Sequence, residues 1–200
     1  MYEKYIKRVL DVALSLIALP IVCLTIIIFG PMIYIEDHGT IFYRAKRRGL
    51  NGQIFVMYKL RSMKMNAPDL RNKDNSTYNS SDDSRVTKIG RILRKTSIDE
   101  LPQIFNVIKG DMSLIGPRAS IPIEGIEWDD LNELQKKRLT VRPGLTGYTA
   151  AVYRNSISQE EKRKWDCYYV DHMSFIFDVR IFFWTIKTVL LHRNIYTNIK

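Results

Sequence analysis

A run of 24 residues, Val12 to Ile35, carries no charged side chain. That length is enough to enter the roughly 30 Å hydrocarbon core of a bilayer. A cleaved signal peptide would have a shorter apolar region, about 7–15 residues, ending in a small-x-small cleavage site, and no such site follows here. A plain membrane span meets two objections. Pro20 and Pro31 interrupt the stretch, and an interior proline removes a helical hydrogen bond and clashes with the preceding turn. The flanks are also basic on both sides, Lys4, Lys7 and Arg8 before and Arg44, Lys46, Arg47 and Arg48 after, whereas a span leaves fewer cations on its outer side. The reading that satisfies both is a re-entrant membrane helix-hairpin over residues 1–36, bent at Pro20 and returning to the cytoplasmic face. Residues 37–200 then form a cytoplasmic, membrane-associated body.

The chain has 31 Lys+Arg against 21 Asp+Glu, net +10. Residues 1–35 hold Lys4, Lys7 and Arg8 against Glu3 and Asp11, so +9 falls on the body. Such an excess implies an anionic partner: lipid headgroups, a nucleotide phosphate or nucleic acid. Two cysteines, Cys23 and Cys167, with no C-x-x-C spacing argue against a disulfide framework or a structural zinc site.

In the body, Thr40–Arg44 and Ile54–Arg61 alternate in polarity around Asn51-Gly52, a strong hairpin signal because both turn residues accept positive φ. Period two places Phe55, Met57, Lys59 and Arg61 on one strand face, where Lys59 alone would read as a solvated lysine. Residues 66–84, rich in Asn, Asp and Ser, read as a surface loop. Arg85–Lys95 reads as a basic helix, with Arg91, Arg94 and Lys95 near its end. Because Pro102 is comfortable only among the first helical positions, the next helix should begin close to Asp99. Asp99 could then simply cap that helix, and Glu100 gain from its dipole. Helix-start amides that favour a carboxylate also favour a phosphate, however. Gly110-Asp111, Gly116-Pro117-Arg118 and Arg142-Pro143-Gly144-Leu145-Thr146-Gly147 add tight turns, with Arg118 and Arg142 able to grip phosphate oxygens in a fork.

Ser158 to Glu161 has capping-box spacing and opens a helix whose Trp165, Tyr168 and Tyr169 are expected to pack inward. From Ser174 to Leu191 a second apolar stretch carries Asp178, Arg180 and Lys187, too charged for a comfortable span and better read as an interfacial amphipathic helix. Asp178 lies among Phe175, Ile176, Phe177 and Val179; an ion pair with an arginine, or contact with a metal or substrate, would account for it. The fold class expected is α+β and helix-rich.

Four ordered stretches give the chain a specific likeness: Tyr58-Lys59-Leu60-Arg61-Ser62-Met63, Arg91 to Gln103 with the Asp99-Glu100-Leu101-Pro102 core, Asn106 to Arg118, and Arg142 to Gly147. Over nearly its whole length it resembles the bacterial sugar transferase family, the small monotopic phosphoglycosyl transferases. That resemblance implies transfer of a sugar-1-phosphate from a UDP-sugar to polyprenyl (undecaprenyl) phosphate with release of UMP, at the cytoplasmic face of the bacterial cytoplasmic membrane, starting a glycan. Asp99 would be the covalent nucleophile and a Mg²⁺ ligand, and Glu100 its partner. Lys59, Arg94, Arg118 and Arg142 would hold substrate phosphates, and Asp178 would lie near the metal or the lipid substrate. The partners implied are the UDP-sugar, polyprenyl phosphate and inner-membrane lipids, with no nucleic acid; a homodimer is compatible with all of this.

The chain departs from the family's common pattern at Leu19 before Pro20, where Ser is usual, and at Ala119, where Pro is usual. Tyr148-Thr149-Ala150 replaces Trp-Ala-Gln, and Val152-Tyr153 replaces Asn-Gly. These changes bear on sugar and nucleotide preference and leave Asp99 and Glu100 untouched. The competing reading is a non-catalytic, membrane-tethered basic module for anionic lipid or nucleic acid, in which the two acids only cap a helix. No helix-turn-helix, RNP set or zinc finger supports nucleic acid. No G-x-S-x-G, H-E-x-x-H or G-x-x-x-x-G-K-[ST] points to another enzyme class, and His38, His172 and His192 lack metal-ligand spacing.

Overall fold

The computed structural model describes residues 2–72 and 78–191; residues 73–77 of the expected loop, and His192, lie outside them. One helix, α1, runs from Lys7 to Asp37 with Pro20 and Pro31 inside it. Neither proline interrupts the helix, so the bend expected at Pro20 would be made within it. A proline deletes one backbone bond and can bend a helix without ending it, and the Ile, Leu and Val residues on either side continue the helical pairing. The helix closes at His38, which takes the left-handed region at φ 53° and donates its N–H to Tyr34 O at 2.6 Å.

Every charged side chain of α1 is bonded to the body. Near its start Lys7 Nζ lies 2.6 Å from Asp178 Oδ2, Arg8 donates to Val107 O at 2.6 Å and Ile108 O at 3.0 Å, and Asp11 accepts from Leu114 N at 3.0 Å. Near its end Glu36 accepts from Lys88 N at 2.6 Å and Ile89 N at 3.1 Å. Asp37 meets Arg61 through two bonds, 2.5 and 2.6 Å, the paired geometry that makes a guanidinium–carboxylate contact strong. Between those ends the helix is largely bare, with Ile17, Ile21 and Ile27 each more than 60% exposed.

The predicted hairpin is present. Strands β1, Phe42–Arg48, and β2, Ile54–Leu60, pair antiparallel from Phe42 against Leu60 to Arg48 against Ile54. The turn holds Asn51 and Gly52 at φ 52° and 78°. β1 extends beyond the expected Arg44 because Ala45 turns inward with Phe55 and Met57, while Arg48 is buried and donates to Ile126 O at 2.5 Å. The basic helix begins later than expected: α2 spans Lys88–Thr96 with Thr87 capping Gly90 N. Arg85 instead bonds Asp83 at 2.6 Å, holding the Asp83 carboxyl below its usual range.

Helix α3, Gln103–Lys109, packs under the hairpin through Val107, joined by Met112 just past its end. β3, Ser113–Ile115, pairs parallel with β4, Gly144–Thr146. Short α4, Glu133–Arg138, lies before β4, and α5, Tyr148–Val152, follows it. α6, Gln159–Asp171, opens with the Ser158/Glu161 capping box as its sequence requires. Of its aromatics Tyr169 is buried, but Tyr168 is 40% exposed and stacks on His172, correcting the expectation that all three pack inward.

The last helix, α7, Phe175–Leu190, inverts the usual amphipathic rule. Its buried residues are Asp178 and Ile181, while Ile176, Phe183 and Leu190 face outward and are exposed. The architecture is α+β and helix-rich, as expected. Two bare apolar surfaces, on α1 and α7, flank a polar body.

Candidate active site

Ser97 ends α2 in the left-handed region, φ 60°, and the chain makes a 3-10 turn, Ile98–Glu100, before α3 begins with Pro102 at its N-cap position. Asp99 therefore caps neither start, and the account of the Asp99-Glu100 pair as simple helix capping fails.

The hairpin brings Lys59 to this turn. Lys59 Nζ donates to Glu100 Oε1 at 2.5 Å, and Arg118 Nη2 lies 3.5 Å from the same oxygen. Burial opposes the Glu100 charge, but Lys59 and Arg118 outweigh it and hold the carboxyl down at about 2. Asp99 differs: burial pushes it up to about 6 against the pull of Lys59, with the Glu100 charge adding to the rise and Arg94 opposing it. Adjacent carboxylates are thus driven apart, one locked in an ion pair, the other ionised at neutral pH yet more basic than an ordinary aspartate.

Asn106 sets the spacing. Fully buried, it accepts from Tyr58 N at 3.1 Å and donates to Val56 O at 2.7 Å and Asp111 Oδ2 at 3.1 Å. It clips α3 to β2, and with it the dyad turn to Lys59. A polar residue between the core positions Ile104 and Val107 was the signal for it. Arg154 was also missed: its Nη2 donates to Ser97 Oγ at 2.8 Å, beside the dyad.

Asp99, Glu100, Lys59, Arg94, Arg118, Arg154 and Asp178 all line one cleft of about 2320 Å³, whose walls include Leu14 and Ile17 of α1 and Phe182 of α7. Arg94 Nε donates to Ser62 Oγ at 2.9 Å. Arg142 lies elsewhere. Its Nε donates to Gly110 O at 2.8 Å, beside the carbonyls held by Arg8, so the two guanidiniums serve the C-terminal end of α3, where cations are favoured. Asp178 reaches the cleft with both carboxylate oxygens engaged: Lys7 and Tyr2 on Oδ2 at 2.6 Å each, Tyr169 on Oδ1 at 2.7 Å. Desolvation raises both tyrosines, with Asp178 adding to the rise. The glycines expected to let backbone approach a ligand approach each other instead. A Cβ on Gly144 would sit 2.1 Å from Gly116 N, and one on Gly147 2.0 Å from Gly116 O.

Comparison with known proteins finds relatives over nearly the whole chain. A family model described as bacterial sugar transferase matches residues 2–192. The galactosyl transferase CpsE of Streptococcus agalactiae serotype III is 41% identical over 92% of this chain. The sugar transferase EpsL of Bacillus subtilis, itself uncharacterized, is 36% identical over 95%. The UDP-N-acetylgalactosamine-undecaprenyl-phosphate N-acetylgalactosaminephosphotransferase of Aeromonas hydrophila is 35% identical over 93%. The chain spans 90% of EpsL but only 42% and 44% of the other two.

The raised Asp99 carboxyl has a stability consequence. Between its ordinary value and about 6 the folded protein holds the proton more tightly than the unfolded chain, so stability falls as pH rises through that window. Asp99→Asn removes the titration. It should raise the unfolding free energy at pH 7 by about 1–3 kcal/mol, and the gain should vanish toward pH 4, as measured by thermal or denaturant unfolding in detergent.

Proposed function

The chain belongs to the bacterial sugar transferase family, and from that premise we propose that it transfers a sugar-1-phosphate from a UDP-sugar to polyprenyl phosphate, the first step of a bacterial glycan. The observation that carries the reading is the division of labour in the dyad. Lys59 and Arg118 engage Glu100 and leave Asp99 as the cleft carboxylate that can attack without a general base.

In the first step an Asp99 carboxylate oxygen attacks the sugar-linked phosphorus. The bond from that phosphorus to the bridging oxygen breaks, and UMP departs with the electron pair. An aspartyl phosphosugar remains. In the second step a phosphate oxygen of polyprenyl phosphate attacks the same phosphorus, and the bond to Asp99 breaks, restoring the carboxylate. Lys59 keeps Glu100 ionised and fixed, and Arg118 and Arg94 place positive charge where phosphate oxygens gather.

Among the described residues no group of three or more His, Cys, Asp and Glu side chains converges to cage a metal. Mg²⁺ needs no such cage, since it commonly rests on one or two carboxylates, substrate phosphates and waters, so the Asp99 carboxylate fits it. When bound there it would neutralise phosphate charge.

The membrane reading follows from α1. A helix whose two ends are both bonded to one folded body would put that body on one side of the bilayer, which supports entry and return at the cytoplasmic face. The apolar faces of α1 and α7 would meet lipid, with the cleft opening between them.

Two outcomes check these statements. Purified wild type with Mg²⁺ should release UMP from one member of a UDP-sugar panel; Asp99→Asn should lower that rate by at least about 10³-fold and excess EDTA should stop it. Equal rates in the variant would refute the nucleophile. In a Cys23→Ser background, maleimide added from the periplasmic side should label neither Glu3→Cys nor Asp129→Cys; labelling of the Glu3 site alone would establish a span.

A further inference from the structure

Arg118 follows the Gly116-Pro117 turn, outside any helix or strand, and its side chain is 59% exposed. A long side chain has many rotamers to lose, so its reach into the cleft is defined only if the backbone that carries it is held. The bonds on either side do that. Pro117 O accepts from Gly144 N at 2.9 Å, and Ser120 O accepts from Arg48 N at 2.9 Å. Arg118 O itself accepts from Arg138 Nη2 at 2.6 Å.

This last bond belongs to a buried network. Arg138, at the end of α4, also donates through Nη2 to Asp166 Oδ2 of α6 at 2.5 Å, and Thr149 of α5 donates its hydroxyl to Asp166 Oδ1 at 2.8 Å. Asp166 is 1% exposed. Burial pushes its carboxyl up, opposed by the Arg138 charge, the Thr149 hydroxyl and the Arg118 amide. The amide and the carbonyl of Arg118 thus both meet one ion pair.

Joining three helices does not require such a pair. Well-packed apolar residues often replace a buried ion pair at no cost or with a gain in stability, but they could not bond the two polar backbone groups of residue 118. Arg138, Thr149 and Asp166 all line the cleft. Thr149 stands where the family commonly has Ala, which has no hydroxyl, so that leg of the network is an addition of this chain.

We infer that Asp166 is a positioning residue for the transfer reaction: with Arg138 and Thr149 it clamps the backbone of Arg118 and so aims that guanidinium at the substrate phosphate. The inference rests on the sugar-nucleotide reading above, in which Arg118 meets phosphate. Asp166 acts through Arg118, since both its own oxygens are engaged.

The test is a double-mutant cycle on kcat/KM for UMP release by the full chain in detergent with Mg²⁺. The UDP-sugar that the wild type accepts is radiolabelled so that slow variants are read, and melting temperatures are recorded beside the rates. Asp166→Asn keeps the size of the side chain and removes its charge. It should lower kcat/KM at least about 10-fold with Arg118 present, and less than about threefold in an Arg118→Ala background, where no guanidinium is left to aim. Thr149→Val keeps the shape and loses only the hydroxyl; it should lower kcat/KM about 3–10-fold, and Thr149→Ser should restore it to within about twofold. Should Asp166→Asn not fold, Thr149→Val takes its place in the cycle. Equal losses in the two backgrounds, or no loss in either, would overturn the inference and leave the network as scaffold. Absence of UMP release by the wild type from every UDP-sugar would instead defeat the sugar-nucleotide reading, and this inference with it.

Discussion

The structure depends on how an apolar helix disposes of its charges. α1 has charged residues only near its two ends, and all of them are spent on the body. The choice of partners matters. Glu36 accepts from the first amides of α2, and Arg8 donates to the last carbonyls of α3. Each sits where the helix dipole favours its sign. Since α2 leads into the dyad turn and α3 leads out of it, the segment carrying Asp99 and Glu100 is strung between the two ends of the apolar helix. The seating of α1 and the geometry of the dyad are therefore one construction. Breaking a buried member such as Lys7–Asp178 would cost about 3–5 kcal/mol, because the remaining charge would lose its compensation.

Within that frame the dyad works by asymmetry. Lys59 and Glu100 form a tight pair, 2.5 Å apart and shielded from water, and Asn106 fixes the distance between the elements that carry them. Asp99 receives burial without a comparable partner. A carboxylate in that state is ionised near neutrality, less stabilised than a paired one, and correspondingly more reactive toward phosphorus.

Much of this was legible in the sequence because it is local or periodic. The Asn51-Gly52 turn, the Ser158/Glu161 capping box and the apolar length of α1 each follow from a few adjacent residues. The acids and Lys59 were legible through motif order. What was not legible is long-range. Arg142 opens a turn rich in Gly and Pro and looks like a phosphate ligand, yet the fold gives it the Gly110 carbonyl at the C-terminal end of α3. For Asp178 the sequence left an ion pair with an arginine, or a metal or substrate contact, open; the fold pairs it with Lys7 instead and adds Tyr2 and Tyr169 from elsewhere in the chain. Pro20 reads as a bend, and the fold carries it inside one continuous helix, since one lost hydrogen bond need not end a helix. Arg154 gave no signal, since nothing local announces a left-handed backbone at an arginine.

The central claim is that Asp99 becomes covalently attached to the phosphosugar. Wild-type protein incubated with Mg²⁺ and the UDP-sugar that supports turnover, without polyprenyl phosphate, should be digested and its peptides mapped by mass spectrometry. The account predicts a phosphosugar mass increment on Asp99 that disappears when polyprenyl phosphate is added. An adduct on another residue, or UMP release that requires the acceptor and leaves no adduct at all, would contradict it.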